Sequence, residues 1–236
     1  MAQNSRGSES TKKCLRELGV FALLDDEEIE LICQQGYVKN YRPGEIIFFE
    51  DHSDKNLYLL VQGRVRLTML SSEGKEKVMT ILQAGDIFGE ISLFDENPHP
   101  VTAEVAEQAR LMVLNWEQLE KIIMKRPRMA LKIIESLSKK ARLLASQVKD
   151  LVFHDATGRL VNLLQRFARD FGRSEEEGTL IDLILTHQEI ANLLGVSRVT
   201  VTKTLNTLID KSLIKTQDRK IMILDEEGLS RLIEDK

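Results

Sequence analysis

The chain has 236 residues, 42% hydrophobic and 30% charged, with 13 Gly and 4 Pro, which excludes collagen-like, low-complexity and wholly disordered classes and suits two small domains. No apolar run approaches the roughly 18 residues of a membrane span and no leader-like segment opens the chain, so a cytoplasmic protein without membrane contact is expected. The formal net charge of −4, taken alone, argues against a nucleic-acid partner. Two cysteines, Cys14 and Cys33, are too few for a disulfide scaffold and fit a reducing compartment.

The opening residues, with Ser5, Gly7, Ser8 and Ser10, read as a frayed tail, and residues 1–17 are assigned to a flexible N-terminal segment. A helix follows, on which Leu18, Phe21, Leu24, Ile29 and Ile32 recur near helical spacing and Asp25 and Asp26 supply start chemistry. From Tyr41 to about Asn115 the period changes to that of short strands. Ile46 and Phe48 alternate with Ile47 and Phe49. Leu57, Leu59 and Val61 alternate, as do Val65, Leu67 and Met69 against Arg64, Arg66 and Thr68. Val78–Leu82 and Leu111–Leu114 are further apolar runs, and Gly44, Gly63, Gly74, Gly85 and Gly89 mark turns, so residues 18–126 are expected to form a small β-barrel or sandwich.

After Pro127, Ile134, Leu137, Ala141, Leu144, Val148 and Leu151 follow a 3-4-3-4-3 spacing. A repeat averaging 3.5 residues is a coiled-coil seam and favours parallel dimerisation through residues 127–153, a long helix lying on its own domain being the alternative. From His154 the chain reads as helical to about Lys211 and strand-like at Ile221–Leu224, with the stretch Gly172–Gly178 as a solvated connection.

The most specific stretch runs from Thr186 to Lys203. Thr186 with Glu189 makes a capping box, Ala191 is small where two helices approach, and Gly195 sits at a tight turn. Ser197 caps a second helix with an inner face of Val201, Leu205 and Leu208. Its other face carries Arg198, Thr202 and Lys203, with Val199, Thr200 and Asn206 nearby. This is a helix-turn-helix whose second helix suits a major groove; an ordinary corner between two helices is the bland alternative. Leu213–Leu224 reads as a hairpin wing with Asp218 and Arg219 at its tip and Lys215 and Lys220 beside it. Residues 155–236 carry 12 basic and 14 acidic side chains, yet residues 198–220 alone carry a local +4. Phosphate affinity depends on cations at the facing surface, so the chain total does not decide the partner.

In this order of parts the chain resembles the Crp/Fnr family of bacterial transcription regulators. The likeness rests on the glycines of the strand region, on Phe88-Gly89-Glu90-Ile91-Ser92-Leu93-Phe94, on the long helix ending Phe153-His154-Asp155-Ala156-Thr157-Gly158-Arg159-Leu160, and on the winged helix. The resemblance implies an α+β fold: a cyclic-nucleotide-binding-like β-roll (jelly-roll) that senses an effector, a central dimerisation helix and a winged helix-turn-helix DNA-binding domain over residues 154–236. It implies a homodimer on a palindromic operator, with RNA polymerase as a further partner if the protein is an activator. In it, an effector shifts the packing of the β-roll on the Ile134–Leu151 seam and so changes the spacing of two recognition helices about one DNA turn apart.

Carried over position by position, DNA contacts fall to Ser197, Arg198, Val199, Thr200, Thr202, Lys203, Arg219 and Lys220. In members reading a TGTGA-type half-site, Arg, Glu and Arg stand where this chain has Arg198, Val199 and Lys203. Arg198 fits bidentate contact with guanine, Val199 accepts nothing from cytosine but packs on a thymine methyl, and Lys203 suits a phosphate. The stretch Arg198–Thr202 is most similar to the nitrogen-control branch. Effector contacts fall to Phe88, Gly89, Glu90, Ile91 and Ser92, with Lys140 and Leu144 from the central helix.

Cyclic-nucleotide members hold the phosphate with an Arg-Ser pair, but the span Asn97-Pro98-His99-Pro100-Val101-Thr102-Ala103 has neither in place, and no Lys or Arg occurs between Lys77 and Arg110. Each missing charge-assisted contact is worth roughly 1.5–3 kcal/mol. A cyclic phosphate there would meet uncompensated charge from Glu90, Asp95, Glu96, Glu104 and Glu107. The Thr-Ser pair that touches adenine in those members is replaced by Leu144 and Ala145. Cyclic AMP is therefore not the expected effector. An iron–sulfur cluster needs about four thiolates and is not expected either. Haem, which would need His52, His99 or His154 as axial donor, is disfavoured. For 2-oxoglutarate, Lys140 falls near the basic residue that nitrogen-control members use, but Ala145 replaces their glutamate. The effector is left as an unknown small molecule, an apolar or carboxylate metabolite taking the largest share. A haem- or redox-sensing member of the same family, using Cys14 and Cys33, is an alternative. So is a ligand-binding subunit acting through protein contacts. Scattered histidines and the lack of a phosphate loop or paired metal ligands argue against an enzyme or a metal site.

Overall fold

The computed structural model describes residues 5–6, 12–13, 15–16 and 25–234. The chain divides into two compact units, residues 1–141 and 142–236, and the division falls inside one long helix.

In the first unit, the expected start at Asp25 is a reciprocal cap. The Asp25 carboxylate accepts from the Glu28 amide and the Glu28 carboxylate from the Asp25 amide, opening α1 (Asp26–Gln35). Its inner residues Ile29, Ile32 and Cys33 are buried in the core. Leu18, Phe21, Leu24 and Cys14 lie outside the described residues. The expectation of a flexible tail over residues 1–17 is corrected at two places: Ser5–Arg6 form a short strand, β1, registered on Val38 and Tyr37 of β2 (Tyr37–Tyr41), and Leu15 is buried in the same core as Ile29 and Ile32.

The β-roll is one antiparallel sheet. Its long strands β4 (Asn56–Leu70) and β7 (Thr102–Asn115) pair along their length, with β2 outside β7 and β5 (Glu76–Leu82) outside β4. The short strands β3 (Ile46–Phe48) and β6 (Ile87–Phe88) add to β7 and β4. In β4 both alternating sets are buried. Leu57, Leu59 and Val61 enter one core with Met112 and Leu114, while Tyr58 and Leu60 enter another with Leu111 and Val113. Each such side chain contributes about 1.5–3 kcal/mol. The alternation expected beyond Val65 fails at Thr68, which is buried while Met69 is exposed. Here the pairing of β4 with β5 shifts register between Leu67 and Thr68, with Met79 of β5 as the extra residue.

Helices complete this unit. After α2 (Glu90–Asp95), Asn115 and Gln118 cap α3 (Trp116–Lys125), a helix the sequence reading did not single out. Pro127 precedes α4 (Arg128–Phe153), whose Met129 and Ile133 reach the β-roll core.

In the second unit, Asp155 caps α5 (Ala156–Phe171), and Arg159 closes the end of α4 by donating to the carbonyls of His154 and Leu151 at 3.0 and 3.1 Å. The stretch Gly172–Gly178 is not a plain connection. It is most of a hairpin, β8 (Gly172–Glu175) and β9 (Gly178–Ile181), that joins β10 (Ile214–Gln217) and β11 (Lys220–Ile223) in a sheet of order β10-β11-β9-β8. The edge strand β8 is wholly exposed, so its sequence carries no apolar alternation and only backbone pairing defines it. Helices α6 (His187–Leu194), α7 (Arg198–Asp210) and α8 (Glu226–Glu234) complete the unit. Among the described residues, no helix is long and apolar enough to cross a membrane.

Candidate nucleic-acid interface and sensor site

The interface is built from caps outward. Thr186 and Glu189 form the expected capping box of α6, and Gly195 ends it at φ +69°, with the Gly195 and Val196 amides both donating to Ala191 O. This turn aims α7 away from α6. The Ser197 hydroxyl accepts from the Thr200 amide at 3.1 Å, so Ser197 acts here as the cap. Val201, Leu205 and Leu208 are buried as expected, joined by Thr204. On the opposite side Arg198 and Lys203 are exposed, and Val199, a β-branched apolar residue, is 63% exposed.

Thr202 is not simply solvated. Its hydroxyl donates to Arg198 O at 3.1 Å and lies 2.8 Å from Nδ1 of His187 on α6. His187 is a part of this surface that the sequence reading missed, since nothing local links residues fifteen apart on two helices. The wing forms as expected. Asp218 and Arg219 turn it with φ of +50° and +62°, leaving Arg219 exposed. Lys220 is different: its ammonium is 2.6 Å from Asp182, which Arg173 also pairs, while Lys215 pairs with Glu177. The local +4 read from the sequence is therefore partly spent within the domain, on acids that lie outside residues 198–220.

The candidate sensor site sits at the turn between β6 and α2. Gly89 has φ +84°, and a Cβ there would come 2.7 Å from Asn56 O, so only glycine fits. It delivers Glu90 to the interior, where the side chain is 1% exposed. Lys140 of α4 meets it, donating to Glu90 Oε1 at 2.6 Å and to Ile87 O at 2.7 Å. The charge reading is corrected here. Glu90 is compensated by Lys140, Glu104 by Arg66, and Glu107 by Arg64. A window along the chain could not register cations brought from β4 and α4.

Of the other expected effector residues, Phe88 and Ser92 are buried and Ile91 is exposed. Leu144 lies beyond residue 141, on the exposed stripe of α4. Ser92 Oγ is 2.8 Å from His99 Nδ1, whose ring stacks on Phe48 at 3.7 Å. His99 Nε2 is 3.3 Å from Asp54 Oδ1, an ion-pair distance without hydrogen-bond alignment, and Tyr58 donates to Asp54 Oδ2 at 2.7 Å. Burial alone would raise the Asp54 carboxyl, but His99 and Tyr58 outweigh it and hold its pKa below the ordinary value. Burial, and then Asp54, push the Tyr58 phenol up. His99 is thus built into the core, while His52 is exposed and His154 half-buried. Cys33 is buried.

Residues 38–126 match the cyclic nucleotide-binding domain family, and residues 158–232 match the Crp-like helix-turn-helix domain family. The chain is 29% identical over 217 residues to the CRP-like cAMP-activated global transcriptional regulator of Mycobacterium tuberculosis, covering 92% of this chain and 97% of that one. It is 31% identical over 199 residues to the global nitrogen regulator of Nostoc sp., covering 82% and 88%. Among solved structures, a CooA mutant from Carboxydothermus hydrogenoformans is similar with a TM-score of 0.77 and 26% identity, over 90% of this chain and 94% of that one.

Proposed function

Because the chain belongs to the Crp/Fnr family of transcription regulators, we propose that it binds a two-fold symmetric DNA site as a homodimer, reads it with α7 and tunes its affinity through the β-roll. The general role, a DNA-binding regulator and not an enzyme, is that of the family. The observation that carries the specific reading is the outer face of α7, where Arg198, Val199 and Lys203 stand exposed over a buried Val201-Leu205-Leu208 face. Ser197, Thr200 and Thr202 line the same end of the helix, and Arg219 of the wing offers a further cation.

Arg198 takes a guanine O6/N7 edge, Val199 packs on a thymine methyl, and Lys203 and Arg219 hold phosphates. The partner copy packs along the α4 stripe, where Ile134, Leu137, Leu144, Val148 and Leu151 are exposed large apolar side chains. An activator would in addition contact RNA polymerase. The effector is not cyclic AMP on this reading. The relative from Mycobacterium tuberculosis is cAMP-activated by name, but this chain lacks an Arg-Ser pair between Asn97 and Ala103, and Lys140 stands against Glu90.

Selection from a random DNA pool tests the recognition. The expected product is a palindrome whose half-site keeps one invariant guanine and places thymine beside it. Recovery of plain TGTGA half-sites would overturn the role given to Val199.

A further inference from the structure

We infer that the sensor of this protein supplies its own ligand: the Lys140 ammonium fills the place against Glu90, and this pair holds α4 in the DNA-binding arrangement without a small molecule. The inference rests on the reading of the chain as a DNA-binding regulator and asks what sets its active state.

Glu90 follows a left-handed glycine that permits no side chain, so its carboxylate is directed inward and is 1% exposed. A buried carboxylate without a partner is strongly destabilising, and breaking a buried pair costs far more than replacing both members by neutral groups. The β4 arginines of the β-roll, Arg64 and Arg66, pair with Glu107 and Glu104. Lys140 meets the need from α4, fifty residues away. It is anchored twice, to Glu90 Oε1 and to the Ile87 carbonyl, and so ties α4 to both β6 and α2.

Its position along the helix matters as much as its chemistry. Met129 and Ile133 hold the start of α4 in the β-roll core, and beyond Ile133 no residue of α4 is buried. Lys140 is the next inward-bonded side chain, about two turns on. It is also the penultimate residue of the first unit, which ends at residue 141. The pair is therefore the last hold of the β-roll on the helix before the chain passes to the DNA-binding unit. A helix already held at that point has met the ordering cost that a bound ligand would otherwise offset. Regulation of such a sensor acts by opening the pair.

Operator affinity of the full-length chain, measured by fluorescence anisotropy on a selected site with and without a metabolite panel, tests this. The parent is expected to bind with no small molecule present. Lys140→Met and the neutral pair Glu90→Gln/Lys140→Met are each expected to weaken binding by about tenfold or more, within the usual range of allosteric coupling. Lys139→Met removes the same charge one residue away, where Lys139 pairs with exposed Glu135, and is expected to change little. The double variant leaves no uncompensated buried charge, so its melting temperature stays near that of the parent even if Lys140→Met alone fails to fold. A double variant that binds as tightly as the parent overturns the proposal, as does a parent that binds only when a metabolite is added. A parent that binds no DNA under either condition overturns the regulator reading itself.

Discussion

Arg198 and Lys203 both carry one positive charge and both stand exposed on α7, yet they are expected to fail differently when removed. The planar fork of Arg198, at the first turn, matches the two acceptors of a guanine edge, whereas the ammonium of Lys203 is a point charge one turn further on. Arg198→Ala should cost about 1–3 kcal/mol on the selected operator and relax specificity at a single base position. Lys203→Ala should weaken selected and scrambled DNA alike and lower the salt slope by about one per protomer. Competition binding on a set of single-base operator variants separates the two, and equal loss on all sequences for Arg198→Ala would remove it from base reading. At this scale the sequence was informative wherever the relevant geometry lay within one helix. Caps and the buried face of α7 follow from offsets of three and four residues. Pairs such as His187 with Thr202, Lys220 with Asp182 and Lys140 with Glu90 depend on packing between elements, and no local spacing announces them.

The same division recurs among elements. Helices with caps and a strong apolar period were largely legible, α3 excepted, and the apolar repeat of α4 marked a helix and a candidate seam. The stripe of Ile134, Leu137, Leu144, Val148 and Leu151 is exposed on the single chain, which is how a coiled-coil face looks without its partner. Leu137→Asp places a charge in that seam, where pairing two copies would bury both carboxylates. The expected outcome is a monomer by analytical ultracentrifugation, with operator binding lost because one recognition helix reaches only one half-site. Monomeric protein with full operator affinity would show that the seam serves another purpose. Elements defined by backbone pairing alone were not legible. Strand β8 has the sequence Gly-Arg-Ser-Glu with every residue exposed, so neither alternation nor burial betrays it, and the extra residue of β5 opposite Thr68 depends on strand pairing that no single-strand pattern shows. Strand β1, two residues long, is fixed only by its partner β2.

For the whole molecule, net charge was the poorest guide, and the structure sharpens why. The chain is −4, the DNA-binding unit is itself slightly acidic, and residues 198–220 carry a local +4. Three of the six cations in that run are then discounted. Lys215 and Lys220 face Glu177 and Asp182, and Lys211 sits at the far end of α7 from Arg198. A lysine already neutralised by an internal carboxylate releases little counterion when a phosphate replaces it. Arg198, Lys203 and Arg219 remain, and with Arg198 on a base edge a dimer presents about four phosphate-facing charges. Counterion release then gives a slope of log K against log[salt] of about −4. If Lys215 and Lys220 also engaged phosphates in full, about eight charges would give about −7. A protein that used this domain for protein contacts would show almost no slope on DNA. Measuring operator affinity between about 50 and 200 mM salt distinguishes the three cases. A slope of about −7 would mean that the wing breaks its pairs with Glu177 and Asp182 on binding, and Glu177→Gln should then tighten binding at every salt concentration.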